Sequence, residues 1–156
     1  MPDYPFQMVV ADYFSLQGKN YLVVGDQYSG WLSIYEADRG DFDGKALERV
    51  LREHFTNFNI PEEISMDGGP QMLSEAVQSC LSRWGVKHRL SSAYFPHSNS
   101  RAKLAVKTGK RLLRDNMTVH GSLATDKVMR ALMQYRNTPL TDLRLSLAQI
   151  VFNRQL

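Results

Sequence analysis

A chain of 156 residues, 43% hydrophobic and 22% charged, is long enough to bury a core and too apolar for wholesale disorder. No apolar run approaches the roughly 18 residues that span a bilayer, and the N-terminal MPDYPFQMVV lacks the basic region and long apolar stretch of a secretory signal. The net charge of +3 conceals two unlike halves: residues 1–79 carry 5 Lys or Arg against 13 Asp or Glu, and residues 80–156 carry 14 against 3, so the second half suits a phosphate-bearing partner and the first a cation or a basic surface.

In chain order, FQMVVADYF (6–14) reads as a first strand, dense in apolar residues and interrupted by Asp12. QGKN (17–20) is a turn, YLVVGD (21–26) a second strand, QYSG another turn and WLSIYEA (31–37) a third strand, an antiparallel meander by its short connections. Leu47, Val50, Leu51, His54, Phe55 and Phe58 then recur at helical spacing behind Asp43, a suitable N-cap. His54 on that apolar face reads as a core residue rather than a ligand. EEISMD (62–67) is a fourth strand, ending at Asp67 before a DGGP turn in which Pro70 suits a first helical turn. Met72, Ala76, Val77, Cys80, Leu81 and Trp84 form the next amphipathic stripe, and VKHRLSS (86–92) a fifth strand. Cys80, the single cysteine, has no internal disulfide partner and is expected in the core.

After the loop AYFPHSNS, a helix begins near residue 98 or 100, and its charges are one-sided. Arg101, Lys103, Lys107, Lys110, Arg111 and Arg114 occur with no acid between them. Lys103, Lys107, Lys110 and Arg114 fall on one stripe, and Ala102, Ala105, Val106, Leu112 and Leu113 on another face. Gly109 inside this helix is expected to cost roughly 1 kcal/mol relative to Ala. DKVMRALMQYRN (126–137), with Thr125 or Asp126 near its cap, and LSLAQIVF (145–152) complete the helices. The pattern predicts one α/β domain with a mixed five-stranded sheet flanked by helices.

Two carboxylates are placed for chemistry. Asp12 breaks an apolar strand and Asp67 ends another; neighbouring strands would bring both to one end of a sheet, as oxygen ligands for a hard cation. Two such ions, bridged by carboxylates, activate the attacking oxygen and stabilise the leaving one in phosphoryl transfer. Cys80, His54, His88, His97 and His120 lack zinc-ligand spacing, and SMDGGPQ lacks the lysine of a phosphate-binding P-loop.

VVADYF, YLVVGDQYSGW, SMDGGPQM and SSAYFPHSNSRAKLAVKTGKRLL, in this order and spacing, resemble the catalytic core of retroviral-type integrases, most closely those of Gypsy-class long-terminal-repeat retrotransposons. TPLTDLRLSLAQIVFNRQL is similar to the segment that closes that core. The resemblance implies an RNase H-like fold, Mg²⁺ or Mn²⁺ as cofactor, cleavage of DNA ends and their joining to target DNA, a homodimer and a nuclear location. The family's N-terminal zinc-binding domain and C-terminal DNA-binding extension are expected to be absent from this chain.

The family's acids are an Asp on the first strand, an Asp after the fourth, and a Glu on the following helix with 35 residues between the last two. Asp12 and Asp67 match, and counting from Asp67 brings the third position to Lys103. Glu to Lys exchanges a negative ligand for a positive group; at an effective dielectric near 20, unit charges about 4 Å apart interact by roughly 4 kcal/mol. Metal binding by Asp12 and Asp67 is therefore expected to be weak or lost, leaving remnant catalytic residues and an incomplete site. Ser100 stands where the family usually has Gly, Leu147 near its usual Pro and Asn153 near its usual Gly. A domesticated host gene, a degenerate element copy or a deliberate substitution would each account for Lys103.

Several functions remain open. One is a nucleic-acid-binding domain without metal-dependent catalysis, in which Arg101, Lys103, Lys107, Lys110, Arg111 and Arg114 contact DNA phosphates. Another is a dimerisation or protein-interaction module using the helices at 72–84 and 126–137, with Trp84, Met129, Met133 and Tyr135 as contacts. A third is a polynucleotidyl transferase still active through an unusual site. An RNase H acting on RNA–DNA hybrids shares the fold but not the PHSNSRAKLAVKT match.

Overall fold

The computed structural model describes residues 2–36, 43–66, 69–90, 100–117, 123, 125–139, 144–154 and 156. Among these residues five strands and five helices follow one another as β1 (Met8–Leu16), β2 (Lys19–Asp26), β3 (Leu32–Glu36), α1 (Gly44–Phe58), β4 (Glu63–Met66), α2 (Glu75–Arg83), β5 (Lys87–Leu90), α3 (Ser100–Asn116), α4 (Asp126–Asn137) and α5 (Leu147–Phe152). The sheet order is β3-β2-β1-β4-β5. β1, β2 and β3 are antiparallel neighbours, while β4 runs parallel to β1 and β5 parallel to β4. This is the mixed five-stranded sheet expected from the sequence. No described helix is long and apolar enough to cross a membrane.

Alternation along β1 sorts the two sides of the sheet. Val9 and Ala11 join Leu22, Val24, Ile64 and Met66 in a core with Leu47, Val50, Leu51 and Phe55 of α1 and Val77 and Leu81 of α2. Val10 faces the other way, packing with Val23, Leu32, Ala102 and Val106, and Phe14 packs with Tyr21, Leu112, Leu113 and Val128. Asp12, between Val10 and Phe14, is thereby on the side that α3 crosses.

The first strand begins two residues later than its apolar run suggests. Phe6 has φ 65°, outside the extended region, and its N–H donates to Asp26 Oδ1 at 2.8 Å. At the other end Gln17 and Gly18 both have positive φ, 53° and 77°, and Leu16 pairs with Lys19. The hairpin therefore closes in two residues, with the twist that suits adjacent antiparallel strands. Pro70 does not open a helix. Residues 70–73 form a turn and α2 starts after Ser74, because the Ser74 hydroxyl accepts from Val77 N at 3.3 Å and caps the helix there. Asp43 and Thr125 cap α1 and α4 as expected.

The third strand is an edge, and α4 covers it. Tyr135 Oη donates to Gly30 O at 2.9 Å and Arg136 Nη2 to Leu32 O at 2.7 Å. The Arg136 guanidinium also lies 4.0 Å from the centre of the Trp31 ring, and burial lowers its pKa to about 10, so it stays charged at neutral pH. In α5, Leu147 is the first helical residue and Asn153 the left-handed cap at φ 61°. These are positions where Pro and Gly are respectively favoured, and asparagine is the commonest alternative to glycine in that conformation.

Gly109 has a packing reason. A Cβ there would lie 2.8 Å from Leu32 Cδ1 and 3.0 Å from Val23 Cγ1, and one on Gly25 would lie 2.7 Å from Ala102 O. α3 sits on β2 and β3 at a distance only these two glycines permit. An exposed helical Gly→Ala change usually stabilises by about 1 kcal/mol, but overpacking costs about 1–3 kcal/mol. Gly109→Ala is accordingly expected to lower stability by about 1 kcal/mol net, seen as a lower denaturant midpoint at unchanged slope; a raised midpoint would contradict this packing account.

Candidate functional site

Packing of Ala102, Ala105, Val106, Leu112 and Leu113 against the sheet fixes how α3 is rotated, and that rotation divides its cations. Lys103, Lys107 and Lys110 line a cavity of about 320 Å³ whose floor is Val10, Ala11 and Asp12 of β1 and whose wall includes Val106. Arg111 and Arg114 are exposed further along the helix. Arg114 Cζ lies 5.0 Å and Lys110 Nζ 5.8 Å from the centre of the Phe14 ring, two residues beyond Asp12 on the same strand face. Arg101 is turned elsewhere: it donates from Nη1 to Tyr28 O at 2.9 Å, with its stem 3.3 Å from where a Cβ on Gly30 would be. Four of the six candidate phosphate contacts thus share one side of α3, Arg111 is exposed, and Arg101 lies against the β2–β3 turn.

Among the described residues Asp12 is the acid of this cavity, and it is already engaged. Its Oδ2 accepts from Lys110 Nζ at 2.6 Å, and the two side chains are 35% and 25% exposed. Its Oδ1 accepts from Tyr13 N at 2.9 Å. The sequence reading treated Lys110 as a phosphate contact and missed this pairing, which joins residues 98 apart; only the crossing of α3 over β1 reveals it. Asp67 lies outside the described residues.

These groups do not fit a divalent cation. Oxygen donors are what Mg²⁺ and Mn²⁺ require, yet the one described carboxylate of the cavity is neutralised by Lys110, and Lys103 adds a further positive charge beside it. Among the described residues no three His, Cys, Asp or Glu side chains converge.

Asp26, the other strand carboxylate, is structural. It is 1% exposed, and accepts from Phe6 N at 2.8 Å, Ser29 N at 2.9 Å and Ser29 Oγ at 2.6 Å. Burial raises its pKa, and these hydrogen bonds oppose that rise. His54 and Cys80 are core residues as read from the sequence, and burial pushes the Cys80 thiol pKa up.

Residues 2–96 match the family model for the integrase core domain, which takes in Asp12 and Asp67 and stops short of α3. The chain belongs to the integrase core domain family. This integrase core is 30% identical over 123 residues to the Pol polyprotein of Feline endogenous virus ECE1, covering 78% of the chain and 12% of that polyprotein. It is 29% identical over 140 residues to an uncharacterized protein of Caenorhabditis elegans, covering 89% of the chain and 11% of that protein. The chain therefore spans little more than a tenth of the length of these two relatives. In fold it is similar to a chain of the simian T-cell lymphotropic virus intasome in complex with PP2A regulatory subunit B56 gamma, at a TM-score of 0.78 and 19% identity, over 98% of this chain and 56% of that one. The fold is RNase H-like, of the retroviral integrase type, and the family normally uses divalent metals.

Proposed function

We propose that this integrase core is a single DNA-binding domain that grips the phosphate backbone through α3 and does not itself perform metal-dependent strand transfer. The observation that carries this reading is the Lys110–Asp12 ion pair at 2.6 Å in a cavity that Lys103 also lines. The aspartate that would hold a cation is held by a lysine, and the position matching the family's glutamate adds positive charge. Lys107, Arg111 and Arg114 are exposed along the same helix, spaced to follow a phosphate chain. Such contacts release counterions and make affinity steeply salt-dependent. From that resemblance we infer that it works in the nucleus.

Fluorescence-anisotropy titration of duplex DNA at several salt concentrations tests the binding. The double substitution Lys107→Ala with Arg111→Ala is expected to weaken affinity about tenfold and to flatten the salt slope by about 2; affinity indifferent to salt and to both lysine and arginine would end the reading. A nicking and joining assay on branched DNA with Mn²⁺ or Mg²⁺ tests the lost chemistry. The protein and its Asp67→Asn variant are expected to give the same background, with Lys103→Glu the variant placed to restore turnover. Joining by the unaltered protein above the Asp67→Asn background would show that it is an active transferase.

A second reading rests on α4, where Met129 and Met133 are 50% and 44% exposed. Large apolar side chains left in water on a helix suit self-association, and a homodimer through this face is compatible with DNA held by α3. Sedimentation across a concentration series distinguishes dimer from monomer.

A further inference from the structure

We infer that the cavity between β1 and α3 is a metal-independent anion site, in which Lys103 and Lys107 hold a phosphoryl group and Asp12 acts against it. Among the described residues the lining carries three lysines and one aspartate, a formal charge of +2 by subtraction. Lys110 is committed to Asp12 at 2.6 Å, whereas among the described residues Lys103 and Lys107 have no carboxylate partner. Val10 and Val106 supply apolar walls, which lower the local polarity and strengthen the attraction between ammonium groups and an anion. A volume of about 320 Å³ admits a phosphoryl group readily.

In a metal centre Asp12 would hold a cation that attracts the phosphate, so its removal would weaken phosphate binding. Here the same carboxylate offsets Lys110 and repels the anion, so its removal releases Lys110 and helps binding. The sign of one substitution therefore separates the two arrangements. The ligand is a phosphoryl group, from a nucleic-acid backbone or from free phosphate. Only the choice between these sources rests on the DNA-binding reading proposed above.

The experiment titrates the full chain in excess EDTA with pyrophosphate by calorimetry, and with duplex DNA by anisotropy, with pyrophosphate also as competitor. Asp12→Asn keeps an acceptor for Tyr13 N and is expected to tighten pyrophosphate binding about fivefold. Lys103→Ala is expected to weaken it by a similar factor, and Lys103→Arg to retain it, with circular dichroism confirming that each variant is folded. Repeating the titrations with inorganic phosphate, which binds Mg²⁺ only weakly, once in EDTA and once in Mg²⁺ without EDTA, is expected to give the same affinities. Weaker or unchanged binding in Asp12→Asn, or binding that needs Mg²⁺, overturns the inference. Competition between pyrophosphate and DNA supports it and identifies the backbone as the source. Pyrophosphate binding without DNA binding leaves the site standing and sinks the DNA-binding reading. DNA binding untouched by pyrophosphate, Asp12→Asn and Lys103→Ala does the reverse.

Discussion

Asp26→Ala is expected to lower the unfolding free energy by about 4 kcal/mol, enough to unfold a marginal domain. The carboxylate is 1% exposed and ties the segment before β1 to the turn after β2, through Phe6 N, Ser29 N and Ser29 Oγ. Removing it strands two buried backbone donors, and hydrogen bonds to a charged group contribute about 1.5–3 kcal/mol each. Relief of its own desolvation offsets part of that loss, which is why the expected total is below the sum. Asp26→Asn keeps an acceptor for Phe6 N but turns its amide toward Ser29, and should fall between the alanine variant and the natural protein. The measurement is urea denaturation at pH 7; an alanine variant within about 1 kcal/mol of the natural protein would mean the turn holds itself. Because the folded pKa of Asp26 is raised, its share of the stability is greatest below the ordinary carboxylate value of 3.8 and declines as pH rises toward the folded value.

His54 gives the opposite slope at higher pH. It is 2% exposed among Phe6, Phe55 and Phe58, with its ring centroid 5.1 Å from that of Phe58. Its Nδ1 is hydrogen-bonded with Tyr35 Oη at 2.7 Å, and Nε2 has no partner among the described residues. Burial lowers its pKa from 6.5 to about 4. Between those values the unfolded chain takes up a proton that the folded chain does not, so the stability present above pH 6.5 is lost as pH falls toward 4. At about 1.4 kcal/mol per pH unit the loss is about 3 kcal/mol. His54→Asn retains an acceptor for Tyr35 and does not titrate, so the difference in urea midpoint between pH 7.5 and pH 5 should shrink in that variant. An equal difference in both proteins would place the acid sensitivity elsewhere.

Much of the fold was legible because burial patterns repeat. The alternation in β1, the apolar stripes of α1 and α2 and the caps Asp43 and Thr125 each declare themselves within a few residues. That Lys103 and Asp12 belong together was legible for a different reason: counting on from Asp67 by the resemblance pointed to Lys103, and Lys103 and Asp12 line one cavity. What was not legible depends on contacts between distant segments. Arg101 belongs to the same run of cations as Lys103, yet Tyr28 O and the bare backbone of Gly30 draw it the other way. Gly109 looks like a flaw in a helix until Leu32 and Val23 are placed beneath it. Lys110 reads as one more basic residue until the strand bearing Asp12 passes under α3.

The cover that α4 lays over β3 bears on how the protein behaves when crowded. An open sheet edge is a template on which another chain can add a strand, the first step toward amyloid-like growth. Tyr135 and Arg136 occupy the carbonyls of Gly30 and Leu32, so two alternate acceptors along this edge are denied to any incoming strand. Loss of these two side chains would convert a solubility safeguard into an adhesive border, independently of any effect at the cavity.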